Sequence, residues 1–318
     1  MNALRLMMVL TMAFVMGCDR KPGPSGGSGR PVVLATTGMV ADLARLVGGD
    51  AVEIRQLMNA GVDPHLYKPT RDDVAQLLAA DLVLANGLHL EGKLDEAFDR
   101  AASAGKQVVR LADRLASTSP PKAEQHDPHV WMDPVLWGEL LPDVAEALAA
   151  VVPANAAGFR ENARLAAARF ADLDARAKIA FLTVPADRRV LVTAHDAFRY
   201  FGKRYQIEVE GIQGISTESE AGLKDIERLV GMLVSRRIPA VFVESTVSER
   251  NIRALIDGSA AKGHRVVVGG SLYSDAMGAA GTPAGTYLGM IEHNVRTIVR
   301  ALGGEMPEAE DAGSGSGG

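Results

Sequence analysis

Cysteine is almost missing from these 318 residues. Cys18 is the single one, so an internal disulfide is impossible whatever the redox compartment. Aromatic residues are scarce at 5%, which disfavours a site built from rings around a large planar ligand. No basic stripe or cluster interrupts the charge distribution, and the formal net charge of −5 excludes nucleic acid as a partner class. Beyond the first seventeen residues no apolar run approaches the roughly 20 residues of a membrane-spanning helix. The compact metal signatures are also lacking: there is no HExxH, no CxxC and no EF-hand loop.

What is present begins at the N-terminus. Met1 to Arg5 form a short, weakly positive segment, Leu6 to Val15 an apolar stretch, and Val15-Met16-Gly17-Cys18 a lipobox-like end. Residues 1–17 therefore read as a cleaved export signal, and Cys18 as the acylated new N-terminus. Met16 is an unusual occupant of its position, and an ordinary secretory signal is the alternative. Residues 18–30 (CDRKPGPSGGSGR) form a flexible Pro/Gly/Ser tether. Residues 303–318 form a Gly/Ser-rich tail that reads as disordered.

Between tether and tail, short β-rich runs alternate with helical patterns. Strands are expected at 31–36, 51–57, 81–86 and 107–111, with helices at 38–48, 70–80, 93–104 and 134–151. The order then recurs, with strands at 189–194, 206–213, 239–244 and 264–269. Its helices fall at 197–204, 221–236, 248–261 and 284–302. Such alternation predicts an α/β fold of mainly parallel sheets flanked by helices. Continuous apolar runs such as Val32-Val33-Leu34 and Val266-Val267-Val268 suit strands covered on both faces.

Between the two series, Phe159, Ala163, Ala166, Phe170, Leu173, Ala177 and Ala180 recur at alternating spacings of four and three, a one-sided helical stripe. Pro153 suits the first turn of this helix and Pro185 its end. Its length, roughly 40 Å, matches a small domain. The expected organisation is an N-terminal lobe at 31–152, a rigid connecting helix at 153–184 and a C-terminal lobe at 185–302. The lobe openings VVLATTGMVADL and RVLVTAHDAFRY hint at a loose internal repeat.

Three of the seven histidines lie in loops that follow expected strands: His65 in GVDPHLYKPT, His129 in DPHVWMDP and His195 in TAHDAF. Loops beyond the carboxyl ends of parallel strands form the ligand crevice of such folds. Asp275, in GGSLYSDAMG, could add a carboxylate. The residues alone leave two readings open, a four-donor metal site or solvated loop histidines beside Asp-Pro turns.

In chain order, GVDPHLYKPT, NGLHLEGKLD, DPHVWMDP, TAHDAFRYF, GIQGISTESEAG, VFVESTVSERNI, LYSDAMG and GTYLGMIEHNVRTIV resemble the metal-binding lipoproteins of zinc and manganese ABC importers, the cluster A-I substrate-binding proteins. The resemblance covers about residues 31–302. It implies that His65, His129, His195 and Asp275 bind zinc or manganese, with iron possible. Three imidazoles and one carboxylate suit tetrahedral zinc, and a bidentate Asp275 would suit manganese or ferrous iron. The resemblance further implies a permease and its ATPase as partners, a membrane anchor at Cys18, and a monomer facing the periplasm or cell exterior. The long His- and acid-rich loop usual in the zinc-dedicated branch is replaced by a short segment offering only Glu124 and His126.

Glu218, Glu244 and Trp131 are candidates for supporting the ligands, the glutamates by hydrogen bonding and Trp131 as an apolar wall. Glu220 has the same two readings, support or a solvated surface. Asn86 and Glu91 suit turn support, His89 an exposed position, and His264 and His293 structural ones. Neutral imidazoles are required for coordination, so affinity is expected to fall below about pH 6.5. A zinc hydrolase would need an open coordination position and a general base, which these motifs do not offer. A receptor for haem or a siderophore would need arginines or aromatics around a large ligand.

Overall fold

The computed structural model describes residues 29–118 and 126–307. The export segment with Cys18, Glu124 and the tail from residue 308 lie outside them. The first lobe is built from β1 (Val32–Ala35), α1 (Gly38–Gly48), β2 (Glu53–Gln56), α2 (Arg71–Ala79), β3 (Leu82–Ala85), α3 (Asp95–Ser103), β4 (Gln107–Arg110), α4 (Pro134–Gly138) and α5 (Leu141–Val151). After α6 (Ala156–Leu182), the second lobe follows as β5 (Val190–Thr193), α7 (Arg199–Tyr205), β6 (Glu208–Gly211), α8 (Leu223–Arg236), β7 (Ala240–Glu244), α9 (Arg250–Ala261), β8 (Val267–Leu272) and α10 (Tyr287–Ala301). The chain is α/β, with parallel sheets flanked by helices in two lobes and one long helix joining them.

All the strand pairings are parallel. The first sheet has the order β2-β1-β3-β4. In the second lobe β6 pairs with β5 and β7 with β8, and β5 lies beside β7. The second lobe thus sets its strands in the same order as the first, as two parallel pairs side by side, giving the weak internal repeat of the sequence a topological counterpart. Because every strand runs the same way, the loops after all the strands of one sheet open at one edge.

The helices start where side chains satisfy the free N–H groups of the first turn. Thr37 caps α1 by accepting from Val40 N at 3.3 Å. Thr70 and Asp73 form a capping box on α2, and Asp133 caps α4 ahead of Pro134. The expected helix at 134–151 is broken in two. Pro142 cannot donate to the carbonyl four residues back and its ring crowds that turn, so α4 ends at Gly138 and α5 restarts at Leu141.

A single hydrophobic cluster runs through both lobes, from Val33, Leu82 and Trp137 past Phe159 and Phe170 to Phe242, Met290 and Val299. The α6 stripe from Phe159 to Ala180 is buried in it. Leu34, Val83, Leu77 and Phe98 fill the opposite face of the first sheet. Val192, Val241, Leu229 and Leu255 do the same for the second.

Two expectations fail locally. Val267 and Val268 were expected to be covered on both faces, yet they are 44% and 48% exposed. They lie on β8, the outer strand of its pair, and the close packing falls instead on Gly269 and Gly270. A Cβ at those positions would come within 2.8 Å of Phe242 and 2.4 Å of Thr297. Gly303 to Met306, expected to start a loose tail, are pinned: Thr183 Oγ1 accepts from Glu305 N at 2.7 Å, and Met306 packs on the core. Among the described residues no helix is long and apolar enough to cross a membrane.

Phe170 is the point where α6 meets both lobes, packing on Gly138 of α4 and on the Tyr287 ring of α10 at 4.7 Å. Phe170→Ala is expected to cost about 3–5 kcal/mol in denaturant unfolding, and Leu165→Ala on the exposed face about 1 kcal/mol or less. Equal losses at the two positions would contradict a core shared between the lobes.

Candidate metal centre

His65, His129, His195 and Asp275 follow β2, β4, β5 and β8 respectively, each past a strand's carboxyl end. Their ligand-capable atoms all lie within 4.8 Å of one another, and all four residues are buried. His65 Nε2 stands 3.2 Å from His129 Nε2. The Asp275 carboxylate faces all three rings, with Oδ1 3.4 Å from His129 Nε2 and Oδ2 3.2 Å from His195 Nε2 and 3.8 Å from His65 Nε2. Among the described residues this is the single group of three or more such donors.

Local sequence explains how two of these histidines are presented. Asp63-Pro64-His65 and Asp127-Pro128-His129 repeat one turn, in which the aspartate Oδ1 accepts the histidine backbone N–H at 2.9 and 3.0 Å. The turn reading of these Asp-Pro pairs holds, but Asp127 does more. Its Oδ1 also lies 2.7 Å from His129 Nδ1. Glu244, at the end of β7, makes the matching arrangement with His195, accepting from its backbone N at 2.9 Å and lying 2.6 Å from Nδ1. In both cases the carboxylate holds a proton on Nδ1 and turns Nε2 into the cluster, where it can bind a metal once its own proton leaves. Gly211 makes the His195 loop possible, since a Cβ there would sit 2.6 Å from Asp196 N. Asp63 Oδ2 accepts from Thr217 across the lobes at 2.6 Å, and Lys93 Nζ donates to the His65 carbonyl at 3.2 Å.

Of the expected supporting residues, Glu244 and Trp131 touch ligand histidines. The Trp131 ring meets that of His129 edge-on at 5.2 Å. Glu218 does not reach the cluster; it is exposed and pairs with Lys93 at 2.8 Å. His89 is exposed and bonded to Asp95, while His264 and His293 bond the carbonyls of Ile238 and Ser271. Glu91 is buried in the turn after β3, accepting from Thr36 Oγ1 and from the N–H groups of Asn86 and Gly87. Asp127 is the supporting residue that sequence reasoning missed, and the DPH repeat was the signal that could have exposed it.

The electrostatics are unusual for a protein interior. Both Asp275 oxygens are buried without a hydrogen-bond donor in good geometry, and His195 Nε2 is likewise unpartnered. Such a carboxylate is costly unless positive charge offsets it. Burial pushes the Asp275 pKa up, but His195 and His129 overcome this and hold it well below the usual carboxylate range. Burial pulls His129 down, yet Asp127 and Asp275 raise it to about 9. His195 is raised in the same way by Asp275 and Glu244. His65 behaves oppositely, with burial lowering it to about 4 despite Asp275. Three imidazole nitrogens and a carboxylate at this spacing could hold one metal ion.

The family described as zinc-uptake complex component A, periplasmic, matches residues 33–301. The manganese-binding lipoprotein MntA of Bacillus subtilis (strain 168) is 41% identical over 298 residues, covering 92% of this chain and 97% of that protein. The zinc-binding protein TroA of Treponema pallidum (strain Nichols) is 42% identical over 301 residues, covering 92% and 96%. The solved structure of periplasmic TroA aligns with a TM-score of 0.83 at 43% identity, over 86% of this chain and 99% of that one. Fe(III)-bound YtgA of Chlamydia trachomatis aligns with a TM-score of 0.79 at 28% identity, over 87% and 100%.

The opposed shifts of the histidines can be read directly. In metal-free protein, NMR titration is expected to find His129 still an imidazolium at pH 8 and His65 neutral down to pH 5, since their pKa values lie at about 9 and about 4. Two histidines titrating together near 6.5 would contradict the assigned carboxylate pairing.

Proposed function

The chain belongs to the family of the periplasmic zinc-uptake component A, and from that membership and the site geometry we propose that it captures one divalent transition metal between its lobes for an ABC importer. Zinc and manganese are the cargo best matched to the donors, with iron admissible. The observation that carries the reading is the buried Asp275 carboxylate ringed by three imidazole nitrogens at 3.2 to 3.8 Å. His65, His129, His195 and Asp275 are the ligands, with Asp127 and Glu244 orienting two of them.

In this reading residues 1–17 direct export, Cys18 carries the lipid and residues 18–30 tether the protein to the membrane. Residues 31–152 and 185–302 are the two lobes, and 153–184 is the connecting helix. The protein is a monomer at the periplasmic or outer face, handing its ion to a permease driven by an ATPase. It is a carrier, because four protein ligands close the coordination shell that a hydrolytic metal would need open for water.

Elemental analysis of protein isolated from its native envelope tests this, with one zinc, manganese or iron per chain expected. Absence of stoichiometric metal there, together with failure of purified protein to bind zinc or manganese, would sink the reading. His129→Ala and Asp275→Ala are each expected to weaken zinc binding by about 100-fold or more. Asp127→Asn and Glu244→Gln, which keep the ligands but lose their orientation, should weaken it by about 10–100-fold.

The pH dependence has a definite sign. His129 and His195 hold protons tightly in the metal-free site, and both must lose them to coordinate. Affinity is therefore expected to rise with pH from 6 to 8, about tenfold per unit for each proton displaced, with about two protons released per ion. The window lies above the 6.5 expected for free imidazoles because the paired carboxylates raise both groups. Calorimetry in buffers of different ionisation enthalpy measures the release, and a flat response across that range would count against the assigned ligands. Asp127→Asn should flatten the slope.

A further inference from the structure

The segment that delivers Asp275 is held at three points. Asn294, buried on α10, binds both backbone groups of Tyr273, accepting from its N–H at 2.9 Å and donating to its carbonyl at 2.7 Å. Ser274 Oγ lies 3.3 Å from Thr246 Oγ1. The carbonyl of Ser274, directly before Asp275, accepts from the Trp131 indole Nε1–H at 2.8 Å. Asn294 and Thr246 belong to the same lobe as Asp275. Trp131 comes from the other lobe, two residues past His129.

Trp131 is itself immobilised. It is fully buried, and its ring packs edge-on against His129 at 5.2 Å and against Trp137 at 6.4 Å. Its carbonyl accepts from Tyr287 Oη at 2.7 Å, and Tyr287 N donates in turn to Asp42 Oδ2 at 2.9 Å. A rigid indole thus ties the turn before Asp275 to the turn that carries His129. Across that tie, Asp275 Oδ1 faces His129 while Oδ2 faces His195 and His65.

Resting on the reading of this site as a metal centre, we infer that Trp131 is a specificity-positioning residue. By holding the Ser274 carbonyl, its N–H keeps both Asp275 oxygens turned into the site. The result is a shell of three nitrogens and two oxygens, which manganese accepts. Zinc is satisfied by four ligands and tolerates a single-oxygen Asp275. Without the N–H, the Asp275 turn is released from the His129 side and its carboxylate is free to rotate to one-oxygen contact. Manganese then loses more than zinc does.

The test is the ratio of zinc to manganese affinity, measured by chelator competition, in wild type, Trp131→Phe and Trp137→Phe. Trp137 is the matched control: it sits in the same aromatic column and loses the same ring volume on substitution, but its Nε1 has no hydrogen-bond partner. Trp131→Phe is expected to weaken manganese binding by about tenfold or more and zinc by about threefold or less. Trp137→Phe should leave the ratio within about threefold of wild type. Equal losses for both metals in Trp131→Phe, or the same ratio change in Trp137→Phe, would overturn the inference while leaving the metal centre intact. Wild-type protein that binds neither ion would instead remove the reading beneath it. Should Trp131→Phe not fold, X-ray absorption of manganese-loaded wild type decides, with a two-oxygen Asp275 contribution expected and a single-oxygen one overturning the inference.

Discussion

A carboxylate with both oxygens buried is a problem that the fold must solve with positive charge. Asp275 is that group, and its neighbours explain much of the surrounding sequence. Three imidazoles converge on it from three loops. Two of those rings are backed by further buried carboxylates, Asp127 and Glu244. The cluster therefore brings three acids and three imidazoles together in a largely buried volume. Protons on His129 and His195 offset the acids' charge in the metal-free protein. A divalent cation offsets it by the same amount when those protons leave. In the proposed metal-bound state, exchange of one divalent ion for two protons leaves the interior charge unchanged.

The repeated strand order gives this chemistry its symmetry. His195 follows β5, which holds the place that β1 holds in the first lobe, and Asp275 follows β8, the counterpart of β4. A buried glutamate serves each half from the β3 or β7 side. Glu91 binds Thr36 just past β1, and Glu244 binds His195 just past β5. A hydroxyl–carboxylate pair thus closes the turn after β1, and an imidazole–carboxylate pair the turn after β5.

Much of this was legible before the structure, and the exceptions have physical causes. The alternation of strands and helices, the α6 stripe and the four converging residues could be read because local pattern or recognisable motifs carry them. The break at Pro142 was visible in principle but was overridden by a strong apolar pattern on both sides. Val267 and Val268 read as buried because a continuous apolar run cannot report which strand lies at the edge. Glu218 sits in a matched segment, yet its side chain turns outward to Lys93, and nothing in one dimension fixes that direction. Glu244 pairs with a residue 49 positions away, and the Trp131 N–H meets a backbone carbonyl 143 positions away. A carbonyl acceptor has no side-chain identity, so no sequence signal could have announced that bond.

The continuity of the core constrains how an ion could reach the buried cluster. Swinging the lobes apart would tear the cluster around α6 and strip Trp131, Tyr287 and Tyr200 of buried partners in the opposite lobe. Each such loss costs on the order of 1–3 kcal/mol. A local path is cheaper. A cavity of about 490 Å³, lined by His65, Lys93, Pro128, Ser216 and Glu218, ends at His65, the most exposed of the four donors. His65 is also the imidazole that burial keeps neutral, so it offers a lone pair without first giving up a proton. Deeper in, His129 and His195 hold protons that an arriving cation repels. Burial and proton affinity thus rise together, from His65, which borders the cavity, to the fully buried His129 and His195.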